Sequence, residues 1–258
     1  MQQKITGINP LISANNVGKV YPNGVKALEG LNLKIDKGEM VGILGASGSG
    51  KTTLFRLING AIEPTSGQFQ VLGVNSPGKS GAELRRLRTR VATIYQHHNI
   101  IPGLSVARNI LMGRLGSMKL LQMLRLALRP EQAELAKVSG VLELLGLEDK
   151  IFDRATDLSG GQQQRVAIAR ALLSEAPVIL ADEPIASVDR QMAEVILNLF
   201  RDLNEQKQTT IIMNLHQEDF ALNYCSRIIA LQHGQLVYDG SPEGYQGKRR
   251  DHRAGEAV

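Results

Sequence analysis

Hydrophobic and polar positions form short runs along most of the chain, and the runs predict strands and helices in alternation. Leu31–Ile35 alternates with a period of two, which is typical of a strand with one buried face. Met40–Leu44 and Val178–Ala181 are continuous apolar runs, as expected for strands buried on both faces. Further strands are predicted at 11–20, 68–72, 91–95 and 209–215, further helices at 162–174 and 191–204, and a hairpin at 227–239. This alternation predicts an α/β fold whose mostly parallel sheet carries helices on both faces.

The pattern changes between residues 104 and 147, where strand signals vanish and Leu, Met, Ala, Arg and Glu dominate. Such a composition favours helices. We therefore expect an inserted helical subdomain at 97–157 between two parts of one core, 11–96 and 158–240. Within the insertion, Met118–Leu128 is either core packing or a surface that docks another protein, and periodicity does not separate the two. Residues 241–258 are predicted to form a flexible tail.

Composition and charge narrow the class of protein. The chain has 258 residues, of which 43% are hydrophobic, and one cysteine, Cys225, so it has enough apolar residues for a core and no intramolecular disulfide. We expect neither a secretion signal nor a transmembrane helix, because no run of about 18 apolar residues occurs. The net charge is +5, but the basic stretches 85–90 and 248–253 lack the interleaved aromatic residues of a single-strand binding surface. We therefore expect no nucleic-acid partner.

The segment Gly45–Thr52 matches the pattern G-x-x-x-x-G-K-[ST], whose backbone wraps nucleotide phosphates. It follows a predicted strand and precedes a predicted helix, 53–58, which is the context that the motif requires. Glycines let successive N–H groups turn toward an anion, and the helix N-terminus adds partial positive charge. Lys51 is expected to reach the β- and γ-phosphates of ATP, and the Thr52 hydroxyl to bind Mg²⁺. The predicted nucleotide-binding residues of this loop are Gly45, Ala46, Ser47, Gly48, Ser49, Gly50, Lys51, Thr52 and Thr53.

Polar residues follow three predicted strands, at the edge where parallel strands place ligand-binding groups. Asp182 and Glu183 end one strand; we expect Asp182 to hold Mg²⁺ and Glu183 to orient or deprotonate the attacking water. Gln96 ends the strand at 91–95, and its amide is expected to contact Mg²⁺ and the same water. His216 follows the strand at 209–215, where its imidazole is able to hydrogen-bond the transferring phosphoryl group. The predicted catalytic residues are Lys51, Glu183 and His216, and the predicted metal ligands are Thr52, Gln96 and Asp182.

A second candidate anion-binding element, Leu158-Ser159-Gly160-Gly161-Gln162, precedes a predicted helix. Read alone, it is only a helix cap. Two phosphate-binding elements with one lysine-containing loop make sense if two copies of the chain face each other, each covering the nucleotide that its partner binds. Tyr21 lies in a turn cluster and is expected either to stack on adenine or to pack the turn.

Taken together, these residues resemble the ATP-binding subunit of ABC transporters over about 12–240. The resemblance implies a RecA-like P-loop NTPase core with an N-terminal antiparallel β region, ATP and Mg²⁺ as cofactors, and a homodimer that sandwiches ATP. It assigns the phosphate loop to Gly45–Thr52, the Q-loop glutamine to Gln96, the signature to Leu158–Gln162, the Walker B strand to Val178–Glu183, the D-loop to Ser187–Asp189, the switch histidine to His216 and the adenine-stacking aromatic to Tyr21. Asp189 is accordingly expected to contact the nucleotide.

Three stretches, 96–102, 109–116 and 214–217, are similar more narrowly to phosphonate importers. This similarity implies an ATPase on the cytoplasmic face of the inner membrane. It would power uptake of phosphonate, phosphite or hypophosphite with permease subunits and, indirectly, a periplasmic binding protein. The chain departs from the subfamily pattern at His98, Arg108 and Arg190, where the family usually has phenylalanine, glutamate and proline.

Other readings of the same motifs stay open at this point. One is an ABC ATPase for another small solute. Another is an ABC-type ATPase that acts on nucleic acid or ribosomes, although such proteins usually carry long coiled-coil insertions or two cassettes, and this chain has neither. A third is a regulatory module that binds nucleotide without hydrolysis, against which the presence of Asp182, Glu183 and His216 argues.

Overall fold

The computed structural model describes residues 10–76, 78, 80–96, 99–118 and 131–246. Its strands are β1 (Ile12–Val20), β2 (Lys26–Ile35), β3 (Met40–Leu44), β4 (Ser66–Val71), β5 (Val74–Ser76), β6 (Val91–Ile94), β7 (Val178–Asp182), β8 (Thr210–Asn214), β9 (Arg227–Gln232) and β10 (Gln235–Gly240). Its helices are α1 (Lys51–Ile58), α2 (Gly81–Arg90), α3 (Val106–Leu111), α4 (Gln132–Leu144), α5 (Gly160–Leu172), α6 (Arg190–Lys207) and α7 (Glu218–Tyr224), with 3₁₀ turns at Met112–Ser117, Glu148–Lys150 and Ala155–Asp157. The predicted α/β class is confirmed.

The strands form two sheets. The first is antiparallel, in the order β2-β1-β4-β5, and is the N-terminal β region that the family resemblance implied. The second has the order β10-β9-β3-β8-β7-β6, in which every pair is parallel except the β9–β10 hairpin. The carboxyl ends of β3, β7 and β8 therefore meet at one edge, with Asp182 beside Asn214 in the pairing register. That edge is where ligands bind in open parallel sheets.

The first sheet packs on the second through an apolar cluster that joins Ile12 and Phe69 to Val41 and Leu54. A second cluster begins at the other face of the parallel sheet, with Ile179, and continues into the helical insertion through Ile110 and Leu142. Removing these side chains from water stabilises the fold by about 25 cal/mol per Å² of apolar surface buried. The insertion thus shares a hydrophobic core with the sheet that it interrupts.

Most predicted boundaries agree with the structure to within a few residues. Strand β2 begins at Lys26, earlier than the predicted 31–35. The sequence pattern missed its first part because Gly30 takes a left-handed conformation (φ 60°), which interrupts the alternation of apolar and polar positions. Helix α7, which spans seven residues, was not predicted, since it is too short for a periodic pattern. Within Met118–Leu128, Met118 is partly buried against the shared core, and 119–128 lie outside the described residues. The tail at 247–258 lies outside them as well.

Among the described residues, no helix combines the length and the apolar character needed to cross a lipid bilayer. The longest helix described, α6, is amphipathic: Ile196 and Phe200 are buried while Lys207 is exposed. Its apolar face packs on the parallel sheet, as the pattern of an ordinary surface helix requires.

Candidate functional site

The loop between β3 and α1 is held in place by its neighbours on both sides. The Gly234 amide donates to the Ser49 carbonyl at 3.0 Å, and the Ser49 amide donates to the Ala46 carbonyl at 3.2 Å. Gly45 (φ 148°) lies so close to β9 that a Cβ there would sit 2.3 Å from the Leu231 carbonyl oxygen. A Cβ on Gly50 (φ 108°) would lie 2.6 Å from the carbonyl oxygen of Ala27 in β2. Only glycine fits these two positions, so the sequence pattern and the packing require the same residues.

The Lys51 side chain is buried under this loop. Its Nζ donates to the carbonyls of Gly45 at 2.7 Å and Ala46 at 2.9 Å. Burial lowers the pKa of Lys51, although the charges of Glu183 and Asp182 act in the opposite direction. The Ser49 hydroxyl is also buried, and it has no hydrogen-bond partner among the described residues. A buried ammonium and a buried hydroxyl beside a loop whose residues Ala46, Ser47 and Gly48 are exposed form an environment suited to an anion.

Two predicted site residues converge on the carboxylate of a third, and each of the three follows a different strand. His216 Nε2 lies 2.6 Å from Glu183 Oε1, and Gln96 Nε2 donates to Glu183 Oε2 at 3.2 Å. Glu183 itself has a positive φ of 54°, which is unusual for a residue other than glycine. Its amide donates to the Asn214 carbonyl at 3.1 Å, which helps to hold the strained backbone. The structure therefore fixes this carboxylate in place at the end of β7.

Asp182 occupies the last position of β7, one residue before that carboxylate. Its Oδ1 accepts a hydrogen bond of 2.7 Å from Asn214 Nδ2. The side chain of Asn214 was given no role by the sequence analysis, although a polar residue at the end of the apolar run Thr210–Asn214 is a signal that could have identified it. The other amide atom, Oδ1, is buried with no partner among the described residues. Asn214 therefore orients Asp182 at the edge of the site.

Tyr21 and the first turn of α1 lie side by side. The Tyr21 hydroxyl is 3.2 Å from Thr53 Oγ1, and the Lys19 ammonium lies 5.7 Å from the centre of the Tyr21 ring. The Thr52 side chain is exposed at the start of the same helix. Tyr21 also packs its own turn, since its amide donates to the Val25 carbonyl at 2.9 Å. An aromatic ring thus stands beside the helix that follows the loop 45–50.

The signature segment caps α5. Ser159 is the N-cap residue, and it forms a capping box with Gln162, whose side chain accepts from the Ser159 amide at 2.9 Å. Gly160 is the first residue of the helix, and a Cβ on Gly161 would lie 2.8 Å from the Ser187 carbonyl oxygen. Within the described part of the chain, these residues make no hydrogen bond to the loop 45–50. The structure therefore does not bring the two predicted anion-binding elements together in one copy.

Asp189 caps the next helix in the same way. Its Oδ1 accepts from the Met192 amide at 2.9 Å at the start of α6. The side chain is exposed, and the segment 187–189 runs beside Gly161. Asp189 and the signature segment are thus neighbours.

Asn109 is a further residue that sequence reasoning left without a role. It is fully buried, its Oδ1 accepts from the Ile101 amide at 2.8 Å, and its Nδ2 donates to the carbonyls of Ile101, Leu104 and Ser105. The side chain therefore fixes the segment 101–105. A single asparagine in the apolar helix α3 was the available signal.

The fold and this arrangement define a nucleotide-binding P-loop protein. The family model described as "ABC transporter" matches residues 28–186, and the chain belongs to the ABC transporter family. It is 42% identical over 230 residues to the "Phosphonates import ATP-binding protein PhnC" of Lactococcus lactis subsp. cremoris, covering 89% of this chain and 93% of that protein. The protein of the same name from Bdellovibrio bacteriovorus is 42% identical over 91% of this chain and 89% of its own length.

Solved structures give the same result for the fold. The dimeric post-hydrolysis structure of the ATP-binding cassette MJ0796, bound to ADP and Pi, matches with a TM-score of 0.79 and 33% identity. The match covers 90% of this chain and 98% of that one. The cbiO1 protein from Clostridium perfringens, part of the ABC transporter complex cbiONQ, matches with a TM-score of 0.78 and 28% identity, covering 96% of this chain and 94% of that one.

Proposed function

We propose that this chain is the ATP-hydrolysing subunit of a bacterial importer of phosphonate or a related reduced phosphorus oxyanion. The observation that carries the proposal is the convergence of Gln96 and His216 on the Glu183 carboxylate beside the buried Lys51. The likeness to phosphonate import proteins, at 42% identity over most of the chain, supports the transported class. Phosphite and hypophosphite are part of the proposal because the stretches 96–102, 109–116 and 214–217 are similar to that importer subfamily.

ATP and Mg²⁺ fit the residues present. The buried Ser49 hydroxyl and the buried Lys51 ammonium lie in a loop whose residues 46–48 are exposed, which suits a triphosphate. The oxygen donors expected to hold Mg²⁺ are the Thr52 hydroxyl, the Gln96 amide and the Asp182 carboxylate, and oxygen donors are what this ion prefers. Mg²⁺, when bound, neutralises charge on the phosphate oxygens.

The chain's own residues divide the work of hydrolysis. Glu183 accepts a hydrogen bond from water and orients it or takes its proton, and His216 and Gln96 hold the carboxylate for that role. Lys51 stabilises negative charge that develops on the phosphate oxygens, once its ammonium exchanges the Gly45 and Ala46 carbonyls for them. Tyr21 stacks on the adenine ring.

We further propose that two copies of the chain close around two ATP molecules. In one copy the Ser159 segment lies apart from the phosphate loop, and it presents the N-terminus of a 13-residue helix with its cap already formed. A second copy placed face to face would let this helix end, with Gly160, Gly161 and the neighbouring Asp189, cover the partner's nucleotide. ATP would favour the closed form because it contacts both copies, and hydrolysis would release it.

This chain has a groove that is suitable for docking the permease subunits. A cavity of about 500 Å³ lies between β6, α2 and the 3₁₀ turn of the insertion. Its lining includes the apolar residues Met112, Leu115 and Met118 and the basic residues Arg85 and Arg88. Any movement of the insertion relative to the core sheet would displace a permease segment bound there. The chain would accordingly act at the cytoplasmic face of the membrane as a peripheral subunit, with a periplasmic binding protein delivering the solute to the permease.

Growth on defined phosphorus sources tests the proposed function. Deleting the chain from its bacterium should abolish growth on methylphosphonate as sole phosphorus source and leave growth on inorganic phosphate intact. The wild-type chain should restore growth, and Lys51→Ala should not, because it removes the ammonium that contacts the phosphates. Parallel cultures on phosphite and hypophosphite define the substrate range. Undiminished growth of the deletion strain on all three compounds would contradict the proposal.

A further inference from the structure

Arg190 conflicts with the local preferences of the helix that it begins. It is the first residue of α6, where the partial positive charge of the helix end disfavours a cation and where proline is favoured. Within its own helix it has Glu194 as an ionic partner, at 3.4 Å, in the less favourable order with the cation N-terminal. The side chain is 71% exposed. The helix itself therefore gives no reason for an arginine at this position.

The contacts that favour an arginine at position 190 are made with the neighbouring helix α7. Arg190 NH1 is 3.4 Å from Asp219 Oδ2, and the Arg190 guanidinium carbon lies 5.3 Å from the centre of the Phe220 ring. Asp219 is in the first turn of α7, where its negative charge is favourable. One guanidinium thus makes an ion pair and a cation–π contact with the same short helix, and contacts of these kinds are each worth up to about fivefold in an equilibrium constant.

These contacts complete a closed ring of linked segments around the site. The chain runs from Glu183 through the turn to Asp189, which caps α6 by accepting from the Met192 amide at 2.9 Å. Arg190 then reaches Asp219, which the short segment 216–219 connects to His216. His216 closes the ring on Glu183 at 2.6 Å. Segments tied at both ends have less conformational freedom than segments tied at one end.

We propose that Arg190 is a positioning residue for ATP hydrolysis. It ties the segment 187–189 to the segment that carries His216, so that the two move as one unit and present Glu183 in its reactive arrangement. This inference rests on the proposed function, because it concerns the rate of that hydrolysis. Arg190 acts through His216 and Asp189. Within the part of the chain that the structure describes, its side chain contacts Glu194, Asp219 and Phe220, none of which belongs to the loop that holds Lys51. Its loss should therefore lower kcat for ATP and leave KM nearly unchanged.

A matched control exists on the same pair of helices. The Arg201 guanidinium carbon lies 5.1 Å from the centre of the Tyr224 ring, which is the same kind of contact between α6 and α7 at their far ends. Arg201→Ala removes a comparable contact without opening the ring around the site. If Arg190 served only to hold the two helices together, the two substitutions would have equal effects.

The experiment is steady-state phosphate release by the full-length chain with ATP and Mg²⁺. We expect Arg190→Ala to lower kcat about threefold to tenfold with KM changed less than about twofold, and Arg201→Ala to stay within about twofold of wild type. Arg190→Lys should retain most of the rate, because it keeps the charge near Asp219 and Phe220. Asp219→Ala should lower kcat, and the double variant with Arg190→Ala should lose no more than Arg190→Ala alone. Thermal unfolding of each variant establishes that it is folded.

The outcomes separate this inference from the function on which it rests. A wild-type chain without ATPase activity would overturn both. An active wild type with Arg190→Ala equal to it, or with Arg201→Ala equally impaired, overturns only the role of Arg190. Losses that multiply in the double variant overturn it as well, since they show that Arg190 and Asp219 act separately.

Discussion

Glu183 and His216 lie 33 positions apart in the chain, and their side chains meet at 2.6 Å between Oε1 and Nε2. The two residues follow β7 and β8, which are parallel neighbours with Asp182 paired to Asn214. The sheet therefore sets this contact before any ligand binds. The other carboxylate oxygen of Glu183 is held by Gln96, which follows β6, so three adjacent strands fix one functional group.

The packing of the phosphate loop predicts different losses of stability when two of its glycines are replaced by alanine. Gly45→Ala would place a Cβ 2.3 Å from the Leu231 carbonyl oxygen, and relieving that clash requires β9 or the loop to shift. Gly48→Ala meets nothing within 4 Å and has only the strain of its positive φ of 78°. We expect about 1 kcal/mol of lost stability for Gly48→Ala and at least about 3 kcal/mol for Gly45→Ala. Urea denaturation measures both, and equal losses would contradict the close approach to β9.

Ser159→Arg tests the proposed face-to-face dimer. A large cation at this position would block the approach of a second copy, while a single copy still binds nucleotide through Lys51. We expect monomers at all ATP concentrations in size-exclusion chromatography and near-normal ATP binding. The control is Ser80→Arg, because Ser80 forms an identical capping box with Glu83 at the start of α2. Dimers of the Ser159 variant equal to those of the Ser80 variant would show that the signature does not cover a partner's nucleotide.

Asn109→Ala should destabilise the chain strongly. It removes the acceptor for the Ile101 amide and the donor for three carbonyls in a fully buried place, which costs about 3 kcal/mol or more in the free energy of unfolding. Asn223→Ala, on the exposed face of α7, should change it by less than about 0.5 kcal/mol. Chemical denaturation compares the two. Similar midpoints for both variants would mean that the segment 101–105 does not depend on Asn109.

Cys225 should be unreactive in the folded chain. Burial raises the pKa of its thiol to about 12, because the thiolate would lose its hydration. At about pH 8 the folded thiolate fraction is then on the order of one in ten thousand, against roughly one in four for an exposed cysteine. Iodoacetamide should accordingly label the denatured chain and spare the native one, as read by mass spectrometry. Rapid labelling of the native chain would contradict the burial.

Much of the site was predictable because its signals are local. The phosphate loop, the two acids at the end of β7 and the cap on α5 are each formed by residues that lie within a few positions of one another in sequence. What the sequence did not reveal depends on contacts between distant segments. The hydrogen bond from Asn214 to Asp182 was recognisable only once β8 lay beside β7, and the hydrophobic core that Ile110 shares with Ile179 joins the insertion to the sheet. The departure of Arg190 from the subfamily pattern was visible, but its partner in α7 was not.

The most direct test of the account is phosphate release and dimer formation by Glu183→Gln with ATP and Mg²⁺. The amide keeps the shape of the side chain but is unable to take a proton from water. We therefore expect hydrolysis to fall at least about a hundredfold while ATP binding persists and a stable dimer accumulates. Glu205→Gln, on the exposed side of α6, should hydrolyse ATP like the wild type. Normal turnover by Glu183→Gln would contradict the proposal that Glu183 orients or deprotonates the attacking water.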